Sequence, residues 1–120
     1  MFIEDIVNFL RNNLDYDFVF DSADTAKDCV VYSYSPRTDD GVKALYQLSL
    51  RIICKGRNEA ALVRVEKMKR AIQSKIITLG DNPLTQNILS VYQNGGGVMV
   101  DYDTDTTHEI MYYDIIYKEV

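Results

Sequence analysis

The feature that most constrains the fold is a change of hydrophobic period at Gly56. Before it, residues 45–55 alternate. Tyr46, Leu48, Leu50, Ile52 and Cys54 point one way, and Gln47, Ser49, Arg51 and Lys55 point the other, with Leu45 and Ile53 as exceptions. That is a strand with one apolar face. After Gly56, apolar residues recur at helical spacing as Ala61, Val65, Met68, Ile72 and Ile76. Asn58 has the chemistry of an N-cap, Glu59 sits just inside it, and the helix is expected over 58–76. A one-faced strand followed at once by an amphipathic helix buries both stripes best when the helix lies on a sheet.

The remaining segments fill in that layout. Ile3, Ile6, Val7, Leu10 and Leu14 make one stripe of a helix over 2–14, with Glu4 and Asp5 in the first turn, where negative charge suits the helix dipole. Residues 17–21 and 29–35 read as strands. Pro36 is expected to end the second of these and open a polar loop to Gly41. A further loop is expected at 80–83. Residues 88–93 and 98–102 read as two strands joined by a hairpin at Asn94, Gly95, Gly96 and Gly97. Residues 108–119 form the last strand. The expected order is α-β-β-β-α-β-β-β. It makes one α+β domain over 1–120, with a largely antiparallel or mixed sheet and two helices packed on it.

Composition narrows the function classes. A chain of 120 residues, 47% of them hydrophobic, can bury a core without staples. No apolar run reaches the roughly 20 residues of a membrane helix. The opening Met-Phe-Ile-Glu-Asp is acidic where a signal peptide is basic, so synthesis in the cytoplasm is expected. Cys29 and Cys54 each lie in an apolar stretch and read as small buried hydrophobes. They fit no Cys-x-x-Cys spacing, and a single histidine leaves little for zinc.

Charge is unevenly spread. Thirteen basic and eighteen acidic residues give a net −5. Residues 51–75 carry eight of the bases against Glu59 and Glu66 alone, so that segment is +6 and the rest of the chain −11. Such a split favours head-to-tail self-association, in which a basic face meets an acidic one. A solvated basic helix on an acidic protein is the plain alternative.

Three motifs invite a chemical reading. Asp101-Tyr-Asp-Thr-Asp105 resembles the start of an EF-hand loop, but Thr106 stands where that loop needs Gly and Tyr112 where it needs Glu. Asn94-Gly-Gly-Gly97 leads into a strand, not into the helix a phosphate loop requires. His108, at the start of a strand, has no nucleophile motif around it and reads as a polar surface residue. No cofactor and no metal site is expected. Dispersed carboxylates leave a small enzyme as a formal third possibility. The basic helix raises the possibility of nucleic-acid binding. The α-β-β-β-α opening superficially matches a double-stranded-RNA-binding domain, but its bases come late in the helix and the acidic remainder repels phosphate. Nine tyrosines, among them Tyr112, Tyr113 and Tyr117 on both faces of the last strand, suit protein contacts as well as internal packing.

These parts together resemble the tail terminator, or minor capsid, proteins of long-tailed bacteriophages and of prophages of Gram-positive bacteria. The resemblance covers most of the chain. It runs through the amphipathic helix at 2–14, then Tyr46-Gln-Leu-Ser-Leu-Arg-Ile-Ile-Cys54, then a helix with Ala60, Ala61 and Ile72. It ends at residues 103–117, with His108-Glu-Ile-Met-Tyr-Tyr-Asp-Ile-Ile-Tyr117 resembling that family's terminal strand. Many relatives carry an Arg in the loop before that strand, and residues 103–107 here have none.

The resemblance implies a structural protein of the virion. Such a protein caps the head-proximal end of the tail tube as a ring, usually of six copies, and its partners are itself, the major tail tube protein and the head-tail connector. A head-completion protein of the same virion, or a nucleic-acid-binding adaptor using residues 58–76, are the alternatives. Charge marks Arg64, Lys67 and Arg70 as candidates for one side of the subunit contact and Asp101, Asp103 and Asp105 for the other. Loop chemistry marks Arg37, Asp39, Asp40, Asn94, Gly95 and Gly96 as candidates for tube or connector contacts.

Overall fold

A computed structural model of the chain describes residues 2–21, 27–39, 43–79 and 88–118. Helix α1 spans Phe2–Asn13, and strands β1, β2 and β3 span Phe18–Phe20, Cys29–Asp39 and Lys43–Lys55. Helix α2 spans Glu59–Ile76, and β4 and β5 span Ile88–Asp101 and Thr106–Lys118. The five strands form one mixed sheet in the order β1-β2-β3-β5-β4. Only β1 and β2 run parallel; the other neighbours are antiparallel. This is the expected α+β architecture with one strand fewer.

Strand pairing explains which residues share a face. Leu50 lies opposite Tyr32 on β2 and Met111 on β5, and Leu48 lies opposite Tyr34 and Tyr113. Both helices pack on that side. Ile6, Val7 and Leu10 of α1 and Val65, Met68, Ile72 and Ile76 of α2 join Val30, Leu48, Leu50, Ile52, Cys54, Met111, Tyr113 and Ile115 in one core. The buried side of α2 is the stripe expected from its period, Ala61 through Ile76. Burying such side chains contributes about 1.5–3 kcal/mol each, and the sum is offset by the entropy of ordering the chain. The opposite face carries Val31, Ser33, Gln47, Ser49, Ile110, Tyr112 and Ile116, all outside that core.

Gly56 makes the turn from β3 into α2 at φ 93°, a conformation that suits glycine. Its N–H donates to the Asp105 carbonyl at 2.7 Å, and its carbonyl accepts from the Thr107 hydroxyl at 2.8 Å. Asn58 then caps α2, its Oδ1 accepting from the Ala61 N–H at 3.0 Å. One junction thereby fixes the end of β3, the start of α2 and the start of β5.

Two expected boundaries are corrected. Pro36 does not end β2. The strand continues to Asp39 through a register shift between Pro36 and Thr38, so Arg37 and Asp39 belong to a strand and not to a loop. A bulge of this kind is one of the few ways proline fits in a paired strand. Asp40 and Gly41, and the loop expected at 80–83, lie outside the described residues. Likewise Asn94, Gly95 and Gly96 are no hairpin tip. They form a bulge within a continuous β4, where the register to β5 shifts between Gln93 and Gly96. A glycine run is compatible with a bulge as well as with a turn, because both need positive φ; here Gly95 is at 101° and Gly96 at 149°.

Candidate interaction surfaces

The end of β4 and β5 that carries Asp101, Asp103 and Asp105, here called the arm, meets the start of the basic helix, where Gly56 and Arg57 contact Asp105. At about 3.3 Å per residue, fourteen-residue β4 is nearly as long as the molecule's 46 Å axis. It is an edge strand, and residues 92–100 are all exposed. The far end of β4 joins β5 through a turn at 102–105. Asp101 Oδ1 organises that turn by accepting from the N–H groups of Asp103 at 3.0 Å and Thr104 at 3.3 Å. Asp101 thus serves the turn, while Asp105 pairs with Arg57. Among the described residues no group of three or more His, Cys, Asp or Glu side chains is placed to hold a metal ion.

The predicted contact residues divide by their intramolecular partners. Arg64 is tied down: its Nε donates to Asp28 at 3.0 Å and its other nitrogen to the Lys55 carbonyl at 2.6 Å. Burial alone would raise the Asp28 carboxyl, but the Lys55 N–H and the Arg64 guanidinium outweigh it and hold that carboxyl below its usual range. Asp105 is likewise engaged by Arg57 at 2.6 Å, whose guanidinium also lies 4.7 Å from the Tyr102 ring centroid. Arg70 makes only an exposed i,i+4 pair with Glu66 at 3.0 Å. Among the described residues Lys67 and Asp103 have no ion-pair partner.

Apolar side chains accompany both charged regions, and charge counting missed them. On the outer side of α2, Leu62, Val63, Glu66, Lys67 and Arg70 line a shallow groove of about 660 Å³. Leu62 is 46% exposed and Val63 60%. On the arm, Val98, Met99, Val100 and Tyr102 are exposed beside the acids. A second, open cleft of about 650 Å³ lies between the α1–β1 connection, the start of β2 and α2, lined by Asp15, Tyr16, Asp17, Asp28, Arg64, Lys67 and Met68. Lys67 stands on the ridge between the two concavities.

His108 is corrected from a surface residue to a buried one, 6% exposed. One ring nitrogen, Nε2, is 2.7 Å from the Thr106 hydroxyl, and Nδ1 has no hydrogen-bond partner among the described residues. Burial lowers its pKa and nearby Arg51 lowers it further, while Asp101 opposes the shift. Next to it, on the helix-facing side of β5, Glu109 is 3% exposed. It accepts from Lys69 of α2 at 2.9 Å, which holds the ammonium above its usual pKa. Asp114 is also buried and accepts from Asn94 at 2.8 Å. No sequence motif marks these three. Strand alternation places Glu109 among apolar residues, which is the only signal that pointed to its burial.

Both cysteines are buried, as expected. The Cys54 thiol is pushed up to about 11, first by burial and then by Asp28, so it stays protonated and poorly nucleophilic at neutral pH. No helix of the described residues is long and apolar enough to cross a membrane. No known protein-family model and no curated protein matches the chain.

Proposed function

We propose that this chain is a structural virion protein of the tail terminator kind, a ring-forming subunit that caps a tail tube and meets the head connector. The observation that carries the reading is that one subunit presents two separate exposed surfaces of opposite charge, each mixed with apolar side chains. The outer side of α2 combines Leu62 and Val63 with Glu66, Lys67 and Arg70, and the face of the β4–β5 arm turned away from the helices combines Met99 with Asp101, with Asp103 at the turn. Two unlike, complementary surfaces define a heterologous contact, and such contacts close into rings when the rotation between neighbours divides a full turn. The resemblance of the 46–54 and 103–117 segments to tail terminators supplies the setting, the six-fold expectation, and the tube and connector as partners.

The basic residues give less support to nucleic-acid binding. Arg57, Arg64 and Lys69 each already face a carboxylate of the same chain, which reduces what they offer to phosphate.

Co-production with a candidate major tail tube protein tests the reading. The expected result is tubes that stop growing and carry one ring of this chain at one end in negative-stain images. Tubes that grow unchanged, with no bound chain, would reject a terminator. Binding to the connector without any effect on tubes would favour the head-completion role instead.

A further inference from the structure

Among the exposed surfaces, the groove on α2 and the β4–β5 arm each set apolar side chains beside charge, basic in excess on the groove and acidic on the arm. Strand alternation puts Met99 and Asp101 on the same side of β4, away from the helices, because Met99 pairs with His108 and Asp101 with Thr106. At the turn, the Arg57 guanidinium, a base of the same chain, lies 4.7 Å from the Tyr102 ring centroid and 2.6 Å from Asp105. Charge complementarity therefore selects the Met99 and Asp101 side, with Asp103 at the turn, as the surface for a basic partner. The α2 groove presents two exposed aliphatic side chains, Leu62 and Val63, flanked by Lys67 and by Arg70, which pairs with the groove's one acid, Glu66.

We propose that residues 99–103 of one copy seat in the α2 groove of the next, with Met99 against Leu62 and Val63 and with Asp101 and Asp103 toward Arg70 and Lys67. The proposal rests on the self-association argued above and names its contact. It removes Arg64 and Asp105 from the interface, since both are held by Asp28 and Arg57 within the subunit. The occupant is a second copy because the matching acidic and apolar surface is present on the same chain. Burying Met99 against two aliphatic side chains removes apolar area from water, and the charges set register and orientation.

Two variants and their mixture test it. Val63→Asp spoils the groove and Met99→Asp spoils the arm, each by placing a carboxylate at an apolar contact. Both positions are exposed, at 60% and 45%, so thermal unfolding of each variant should stay close to that of the parent chain. In sedimentation velocity, each variant alone should run as a monomer under conditions where the parent assembles. Mixed in equal amounts, they should form a pair and stop. The intact groove of the Met99 variant can take the intact arm of the Val63 variant, and the remaining ends are both spoiled. A mixture that stays monomeric, or either variant assembling like the parent, overturns the contact. If the parent assembles and the variants do too, only this contact falls. If the parent stays monomeric at every salt and concentration, self-association falls with it.

Discussion

At Gly96 the backbone of β4 comes close to that of β5. A Cβ there would run into the backbone carbonyl of Ile110, and the backbone sits at φ 149°. Gly96→Ala should therefore destabilise the fold by about 1–3 kcal/mol, whereas Gly97→Ala, with open space around its Cβ, should cost much less. Urea titration of both variants measures the difference, and equal costs would contradict the bulge. The Lys69–Glu109 pair gives a second residue-scale expectation. Lys69→Met leaves a buried carboxylate without its cation, and Glu109 Oε2 already has no hydrogen-bond partner among the described residues. The cost should be about 2 kcal/mol, toward the low side for a buried pair because Lys69 keeps some contact with water. Lys69→Met combined with Glu109→Met should recover most of it, and a double variant as unstable as the single one would argue against the pairing. His108 adds a pH dependence. Its folded pKa lies below the ordinary 6.5, so the unfolded chain binds the proton first as pH falls. Stability should decline as pH drops below about 6.5. Asp28, depressed below 3.8, loses its contribution only in stronger acid. His108→Gln should flatten the first decline in a series of thermal melts; an unchanged slope between pH 6.5 and 5 would place the titrating group elsewhere.

At the scale of the element, α2 is where sequence and structure agree most closely. A 3.6-residue stripe, a capping Asn58 and a glycine before it leave little freedom, and the observed buried residues are those the period picks out. Replacing Asn58 with Ala should cost about 1 kcal/mol and lower the thermal midpoint without changing the spectrum of the folded state. Strand β3 was equally legible because its alternation is long enough to fix a face. The misreadings share one physical cause. Pro36 and the Asn94–Gly97 run carry turn chemistry, but a long neighbouring strand supplies enough ladder pairing to absorb a bulge in each. Local signals report what the backbone permits, and tertiary pairing decides which permitted form is used. His108 was misplaced for a related reason. A polar residue near a strand end reads as exposed until the register shows it beside Ile53 and Met99 in the middle of the sheet.

For the whole molecule, charge pattern alone identified which regions carry opposite sign, but it could not tell free charges from paired ones. Arg64 and Asp105, interface candidates by charge, each hold an ion-pair partner within the subunit. Conversely Leu62, Val63 and Met99 carry no mark in the sequence that sets them apart from core residues, and only their exposure reveals them. The account therefore depends on the two surfaces meeting between copies. Native mass measurement of the purified parent chain over a salt series tests this directly. The account predicts one discrete multi-subunit species at low ionic strength, where the Debye length is about 30 Å, that loses subunits as salt is added. A chain that remains a monomer at every salt and protein concentration would contradict it.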